Sequence, residues 1–226
     1  MEISVLDHGF VRLDAAQADD LSVVNSARVS FNKRSDQIGE AEIGLINYLL
    51  KNKHGTPFES NFFRFHIKAP IFVVREWMRH RIGNSYNEWS ARYSELKEEF
   101  YIPDLKNVRK QVGKPGHYKF DDVDIDTAEE FCDNLRQFCK RAYIEYKRAI
   151  NHGVAKELAR LFLPVNIYSE FYFSTNARAL MNFLSLRNSE QAQREIRQYA
   201  VALESIFESS MPVTYQAFIK NGRIAP

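Results

Sequence analysis

Hydrophobic and polar positions change period several times along this chain, and each change marks an element. Ile3 and Val5, then Phe10, Val11 and Leu13, flank Asp7-His8-Gly9, the pattern of a hairpin over Glu2–Leu13. Asp19 and Asp20 can cap a helix that runs through Leu21, Val24 and Ala27 to Arg28-Val29-Ser30. A second helix over Ala41–Leu50 carries Ile43, Ile46 and Leu50 at helical spacing. After a turn at His54–Glu59, Phe63, Phe65 and Ile67 alternate with Arg64, His66 and Lys68. That is a half-buried strand whose basic outer face is either solvated or paired across strands. Pro70 suits the first position of a short helix with Ile71, Val74, Trp77 and Met78 as its buried stripe.

The second half is more helical. Asn107–Asp126 mixes Lys, Gly, Pro and Asp without a period and reads as a loop. A long helix follows over Ala128–Ile150, with Phe131, Leu135, Phe138, Ala142 and Tyr146 on one face. Asn151-His152-Gly153 breaks it, a shorter helix carries Leu158, Leu161 and Phe162, and Pro164 ends that one. Val165, Ile167, Phe171 and Phe173 predict a second strand, with Glu170 on the other parity able to pair with the basic face. Helices over Asn176–Leu186 and Gln191–Phe207 come next, the latter with Ala192, Ile196, Tyr199, Leu203 and Ile206 as its stripe. Pro212 opens a last short helix.

Composition narrows the class. At 226 residues, with 45% apolar and 27% charged side chains, residues 1–226 read as one globular domain. The net charge of +2 is too small to mark a polyanion binder, so local basic clusters must carry any phosphate chemistry. No run approaches the roughly 18 apolar residues of a membrane span. The opening MEISVLDHGF is unlike a secretory signal, and the cytoplasm is the expected location. Cys132 and Cys139 are seven apart, share one helix face and read as core residues rather than a redox pair. There is no His-x-x-x-His, no Cys-x-x-Cys and no glycine-rich phosphate loop; Gly113-Lys114-Pro115-Gly116 lacks the spacing. No metal is expected.

What a packed core does not explain is Arg79–Tyr93. Arg79-His80-Arg81 is followed by Gly83-Asn84 and then by Ser85, Asn87, Glu88, Ser90 and Arg92 among aromatics. Cations at a helix C-terminus are favourable by roughly 0.3–1 kcal/mol each, which accounts for one or two of them. The rest suit an anionic, planar ligand, since a guanidinium donates two parallel bonds to phosphate. A second cluster runs from Arg160 to the motif NARALMNFLSLR. Within it Arg178 and Asn182 share a face, whereas Arg178 and Arg187 fall on opposite sides of a continuous helix. They serve one ligand only if the helix breaks; otherwise they serve different sites or subunits.

These motifs resemble the flavin-dependent thymidylate synthases. Arg79-His80-Arg81, the later Ser90 and Ala91-Arg92-Tyr93 match that family's signature, with eight residues after Arg81 where the family has seven. ARVSF at Ala27–Phe31, TPFE at Thr56–Glu59, FHIKAPIFVVRE at Phe65–Glu76 and EFYIP at Glu99–Pro103 extend the likeness over nearly the whole chain. It implies an α+β subunit with the thymidylate synthase-complementing protein fold, a small mixed or antiparallel sheet packed with several long helices. It also implies a homotetramer whose sites are shared between subunits.

The implied reaction is reductive methylation of dUMP to dTMP, with FAD bound, NADPH as reductant and methylenetetrahydrofolate as carbon donor. By position, Glu76, Arg79, Glu88, Ser90, Arg92, Arg160 and Arg187 would hold dUMP. Ser30, Thr56, Glu59, Arg79, His80, Arg81, Asn176, Arg178, Asn182 and Leu186 would contact FAD. Arg187 and Ser90 would stand at the reacting centre, Arg187 at the polar edge of the uracil and Ser90 as a binding hydroxyl. Glu76 stands where Gln is common, and Gln191 where a flavin-contacting His is common. Two other readings compete. A nucleotide-binding flavin oxidoreductase without carbon transfer would consume NADPH alike with and without folate. A nucleic-acid module using Arg64, Lys68, Arg75 and Arg79–Arg81 would bind with steep salt dependence.

Overall fold

The computed structural model describes residues 1–114 and 117–226. In order it contains β1 (Glu2–Val5), β2 (Gly9–Gln17), α1 (Asp20–Arg28), α2 (Glu40–Lys51), α3 (Thr56–Glu59) and β3 (Phe62–Pro70). There follow α4 (Ile71–Trp77), β4 (Asn84–Glu88), β5 (Arg109–Val112), β6 (Lys119–Asp122) and α5 (Ile125–Asn151). The last elements are α6 (Lys156–Ala159), β7 (Tyr168–Thr175), α7 (Ala177–Arg187), α8 (Arg194–Ser210) and α9 (Pro212–Lys220). The described residues group into two compact units. One takes 1–69, 73–88 and 170–226, the other 70–72 and 89–169. No described helix is long and apolar enough to cross a membrane.

The first unit is built on a five-stranded sheet in the order β1-β2-β3-β7-β4. The β1–β2, β2–β3 and β4–β7 pairs are antiparallel. Alternation puts Phe63, Phe65 and Ile67 of β3 and Phe171 and Phe173 of β7 on the buried face, each at most 1% exposed. Trp77 is wholly buried against Phe171, Phe173, Phe183 and Tyr199, with ring centroids 4.9–5.8 Å apart. Tyr199 Oη donates to the Lys68 carbonyl at 2.8 Å and passes so close to Gly9 that a Cβ there would lie 2.1 Å from it. The polar face is paired, as one of the two readings of the alternation held. Arg64 meets Asp14 at 2.7 Å, His66 meets Glu170 at 3.0 Å, and Arg12 contacts His66. Lys68 on the same parity is buried, at 9% exposed.

Several boundaries differ from the sequence expectation for local reasons. Pro70 closes β3, and α4 starts one residue later at Ile71. Asn84–Glu88 was expected to be a ligand-binding stretch with a turn; it is an edge strand, whose Tyr86 lies opposite Phe173. Polar residues on both sides of Tyr86 hide that strand from a period-2 reading. The α8 helix begins at Arg194 rather than Gln191, because Ser189–Ala192 closes a turn first. Asp19 caps α1 as expected, but the buried Asp20 turns away and accepts from Val213 N, Thr214 N and Thr214 Oγ1 at 2.6–2.9 Å. It therefore caps α9 from across the sequence.

The second unit packs residues 89–103 and 163–169 on α5. Ala91, Leu96, Phe100, Cys139 and Ile167 form its core, with Leu135 and Tyr143 partly buried against them. The expected stripe holds at Leu135 and Tyr146 and fails at its two phenylalanines. Cys132 and Cys139 are buried, whereas Phe131 and Phe138 are 49% and 51% exposed. Hydroxyl chemistry fixes which side is buried. Tyr146 Oη accepts from Leu96 N and Tyr143 Oη donates to Leu96 O, both at 3.1 Å, so the tyrosine side of α5 faces the core. The short helix expected to carry Leu158, Leu161 and Phe162 is α6 followed by a 3-10 turn over Arg160–Phe162, and the three side chains are 57%, 79% and 51% exposed. The expected Asn107–Asp126 loop instead holds the β5–β6 hairpin, in which Arg109 faces Asp122 and Lys110 faces Asp121. Cross-strand charge replaces apolar alternation there. Pro115 and Gly116 of that stretch lie outside the described residues.

Replacing Asp20 by Ala should destabilise the protein by about 2–3 kcal/mol, because charge-assisted bonds to two backbone amides and a hydroxyl are lost together. Urea unfolding of the variant measures it; a loss under ~0.5 kcal/mol would mean that water replaces the carboxylate.

Candidate functional site

The site residues fall into three groups. The first lies in the first unit, where α4 ends and α7 ends. Arg187 Nε donates to His80 Nε2 at 2.9 Å, Nη1 to Glu76 Oε2 at 2.7 Å and Nη2 to the Glu76 carbonyl at 3.2 Å. Position is enforced from the other side by Tyr86, whose hydroxyl donates to the carbonyls of His80 (2.6 Å) and Trp77 (3.2 Å). His80 is 8% exposed and packs on Phe183 at 4.8 Å. Burial first, then Arg187 and Arg79, lower its pKa to about 4, so the imidazole is neutral and carries its proton on Nδ1. Burial raises the pKa of Glu76, with Glu195 adding to it, against the opposing pull of Arg187 and Arg79.

A second group surrounds a cavity of about 390 Å³ in the same unit, lined by Glu59, Ile82, Gly83, Asn176, Arg178, Ala179, Asn182, Ala225 and Pro226. Arg178 holds Glu59 at 2.5 Å and the Pro226 carbonyl at 2.7 Å. Asn176 caps α7 by accepting from Ala179 N at 2.8 Å. Gly83 has φ +72°, and a Cβ there would lie 2.9 Å from Asn176 Nδ2, so only glycine fits that turn without strain. This turn lies within the eight-residue spacing between Arg81 and Ser90. Leu186 lines a neighbouring cavity of about 520 Å³ together with Asn182.

The third group belongs to the second unit. Arg92 Nε reaches Glu157 Oε2 and Arg160 Nε reaches the Glu157 carbonyl, at 3.3 and 3.2 Å. Arg92 N donates to Ser90 Oγ at 3.3 Å. Glu157 thus joins the two guanidiniums, Arg92 through its carboxylate and Arg160 through its backbone carbonyl, with Lys156 donating to the Tyr93 carbonyl beside them at 3.3 Å. Glu157 was not foreseen, although its place three residues before Arg160 in a helical segment was a usable signal. Nothing in the pattern pointed to Ala225 and Pro226. Ser30, Thr56, Arg81 and Glu88 stand at exposed positions outside these three groups, and Arg79 is exposed next to the first.

Residues 13–213 match the family model described as thymidylate synthase complementing protein. A flavin-dependent thymidylate synthase of Thermosipho africanus (strain TCF52B) is 47% identical over 222 residues, 97% of this chain and 95% of its own. The chain belongs to the flavin-dependent thymidylate synthase family. The enzyme of that name from Tropheryma whipplei (strain TW08/27) is 45% identical over 227 residues, covering 96% of this chain and 94% of its own. Among solved structures, a UMP/dUMP methylase, PolB from Streptomyces cacaoi bound with 5-Br dUMP, is similar with a TM-score of 0.90. Its sequence is 41% identical, and the match covers 99% of this chain and 100% of that one.

Within this family frame the cysteines are bystanders. Burial raises the pKa of both thiols, Cys132 lies 3.4 Å from the Pro103 carbonyl, and Cys139 lies 3.3 Å from Asn166 Nδ2. Neither is a poised thiolate. The neutral His80 leaves a mark on stability. Its folded pKa of about 4 lies below the ordinary 6.5, so its stabilising contribution is complete above 6.5 and is lost as pH falls toward 4. Urea titrations across that range should show at most about 3 kcal/mol of acid destabilisation in the wild type that His80→Gln lacks. Parallel pH profiles would show that His80 titrates normally.

Proposed function

We propose that this chain catalyses the reductive methylation of dUMP to dTMP, with FAD bound, NADPH as reductant and methylenetetrahydrofolate as carbon donor. The observation that carries the reading is the contact of Arg92 with Glu157, 65 residues away, which brings Arg92 and the adjacent Ser90 to the segment that bears Arg160. Ser90, Arg92 and Arg160 are assigned to the nucleotide by resemblance, and their types suit a phosphate. Arg92 and Glu157 are each 53% exposed on their side chains, so their ion pair is weak and a phosphate dianion can displace the carboxylate. Relatives with the name flavin-dependent thymidylate synthase, and a methylase structure holding 5-Br dUMP, support the same assignment.

Arg187, in this reading, faces the polar edge of the pyrimidine and stabilises negative charge as carbon 5 becomes electron-rich. Arg79 and Glu88 complete the nucleotide contacts, Glu76 acts on the nucleotide through Arg187, and Ser90 binds without attacking. The flavin supplies the redox and carbon-transfer chemistry when bound. The donor set around the 390 Å³ cavity fits such a group. Arg178 offers a cation to a phosphate, while Asn176, Asn182 and Glu59 offer amide and carboxylate partners to polar ring edges. His80, Arg79 and Arg81, with Ser30, Thr56 and Leu186, are assigned to the same ligand. Residues 1–226 act as one functional domain in a homotetramer whose sites are shared between subunits, and the protein works in the cytoplasm.

Purified protein should show an oxidised-flavin absorption spectrum that dUMP perturbs, and dTMP should form only with the folate present. Arg92→Ala and Arg187→Ala should each weaken dUMP binding by about 1.5–3 kcal/mol, the scale of a hydrogen bond to a charged group. Unchanged affinity in both, measured by calorimetry, would overturn the assignment. NADPH consumption indifferent to folate would favour an oxidoreductase without carbon transfer.

A further inference from the structure

The cradle around Arg187 separates its position from its charge. Two of its three acceptors, His80 Nε2 and the Glu76 carbonyl, are neutral and hold the guanidinium plane in place. The third, the Glu76 carboxylate, is the one that cancels its charge, at 2.7 Å. Both side chains remain reachable, at 20% exposed for Arg187 and 27% for Glu76. We propose that Glu76 is a positioning residue that masks Arg187, so that the electron-rich edge of a pyrimidine engages Arg187 in competition with the Glu76 carboxylate. This rests on the reading that Arg187 faces the pyrimidine.

The surroundings decide the direction of the effect. The charged and titratable groups facing Glu76 are Arg79 and His80 after α4, Arg187 at the end of α7 and Glu195 in the first turn of α8. His80 stays neutral and offers no substitute cation. Burial outweighs the two arginines and lifts the Glu76 pKa, so its carboxylate gains a proton earlier than an ordinary glutamate as pH falls. Protonation leaves Arg187 held in place by the two neutral acceptors and with its charge uncovered. Ligand affinity through Arg187 therefore rises as the medium becomes acidic. Replacement of the carboxylate by an amide has the same effect at neutral pH, since the amide oxygen still accepts from Nη1.

The test is calorimetric titration of the flavin-loaded protein with dUMP, from neutral into acidic pH, for the wild type, Glu76→Gln, Glu76→Asp and Arg187→Ala. Subtracting the Glu76→Gln profile cancels the titration of the dUMP phosphate. Glu76→Gln should bind dUMP roughly five-fold more tightly at neutral pH, the gap between a charged and a neutral hydrogen-bond partner. It should also lack the acid strengthening of the wild type, which Glu76→Asp keeps. Equal or weaker binding in Glu76→Gln, with a pH profile parallel to the wild type, overturns the masking role. That result together with weakened binding in Arg187→Ala removes this inference alone. Unchanged binding in Arg187→Ala removes the placement of Arg187 at the pyrimidine itself, and the inference with it.

Discussion

The burial of Trp77 among Phe171, Phe173, Phe183 and Tyr199 sets the end of α4, and the chemistry of the first unit hangs from that point. An indole this size in contact with four rings permits little rotation of the helix that bears it. Glu76 precedes it and His80 follows three residues later, so both reach Arg187 with no flexible segment between anchor and contact. Phe183 touches both Trp77 and His80, which joins core packing directly to the imidazole. Tyr86 closes the arrangement from β4 by donating to the carbonyls of Trp77, at the end of α4, and of His80.

Arginine in this chain is held by glutamate wherever the site residues converge. Arg92 meets Glu157, Arg178 meets Glu59, and Arg187 meets Glu76. The pairs differ in exposure, from about half for Arg92 and Glu157 to 20% and 27% for Arg187 and Glu76. An exposed pair is worth ~0–1 kcal/mol, so it orients a guanidinium without committing it. A more buried pair interacts more strongly and resists displacement, because less water screens it. The same residue types therefore make a weakly held pair in one place and a firmly held one in another.

Legibility followed the strength of local pattern. The hairpin of β1 and β2, the start of α1 at Asp19, the β3 alternation and the opening of α9 at Pro212 each rest on a short-range signal that tertiary contacts did not override. So does the divergence of Arg178 and Arg187, since nine residues on a regular helix point opposite ways whatever surrounds them. Signals failed where polar residues did structural work. Asn84–Glu88 pairs as a strand with one aromatic, and β5 and β6 pair through opposite charges. On α5 the exposure of Phe131 and Phe138 beside buried Tyr146, Cys132 and Cys139 turned on hydroxyl partners contributed by Leu96, fifty residues before Tyr146.

By itself the sequence determined most of the periods, the Asp19 cap and the family, because those depend on neighbours a few residues away or on motifs read in order. Tertiary structure alone decided what each side chain meets. Asp20 looked like a local cap and instead closes α9; Glu157 and Pro226 entered the site unannounced; Glu76 and His80 became partners of one arginine. Hydrogen-bond partners and burial are set by residues distant along the chain, and together they fix whether a carboxylate or an imidazole is charged.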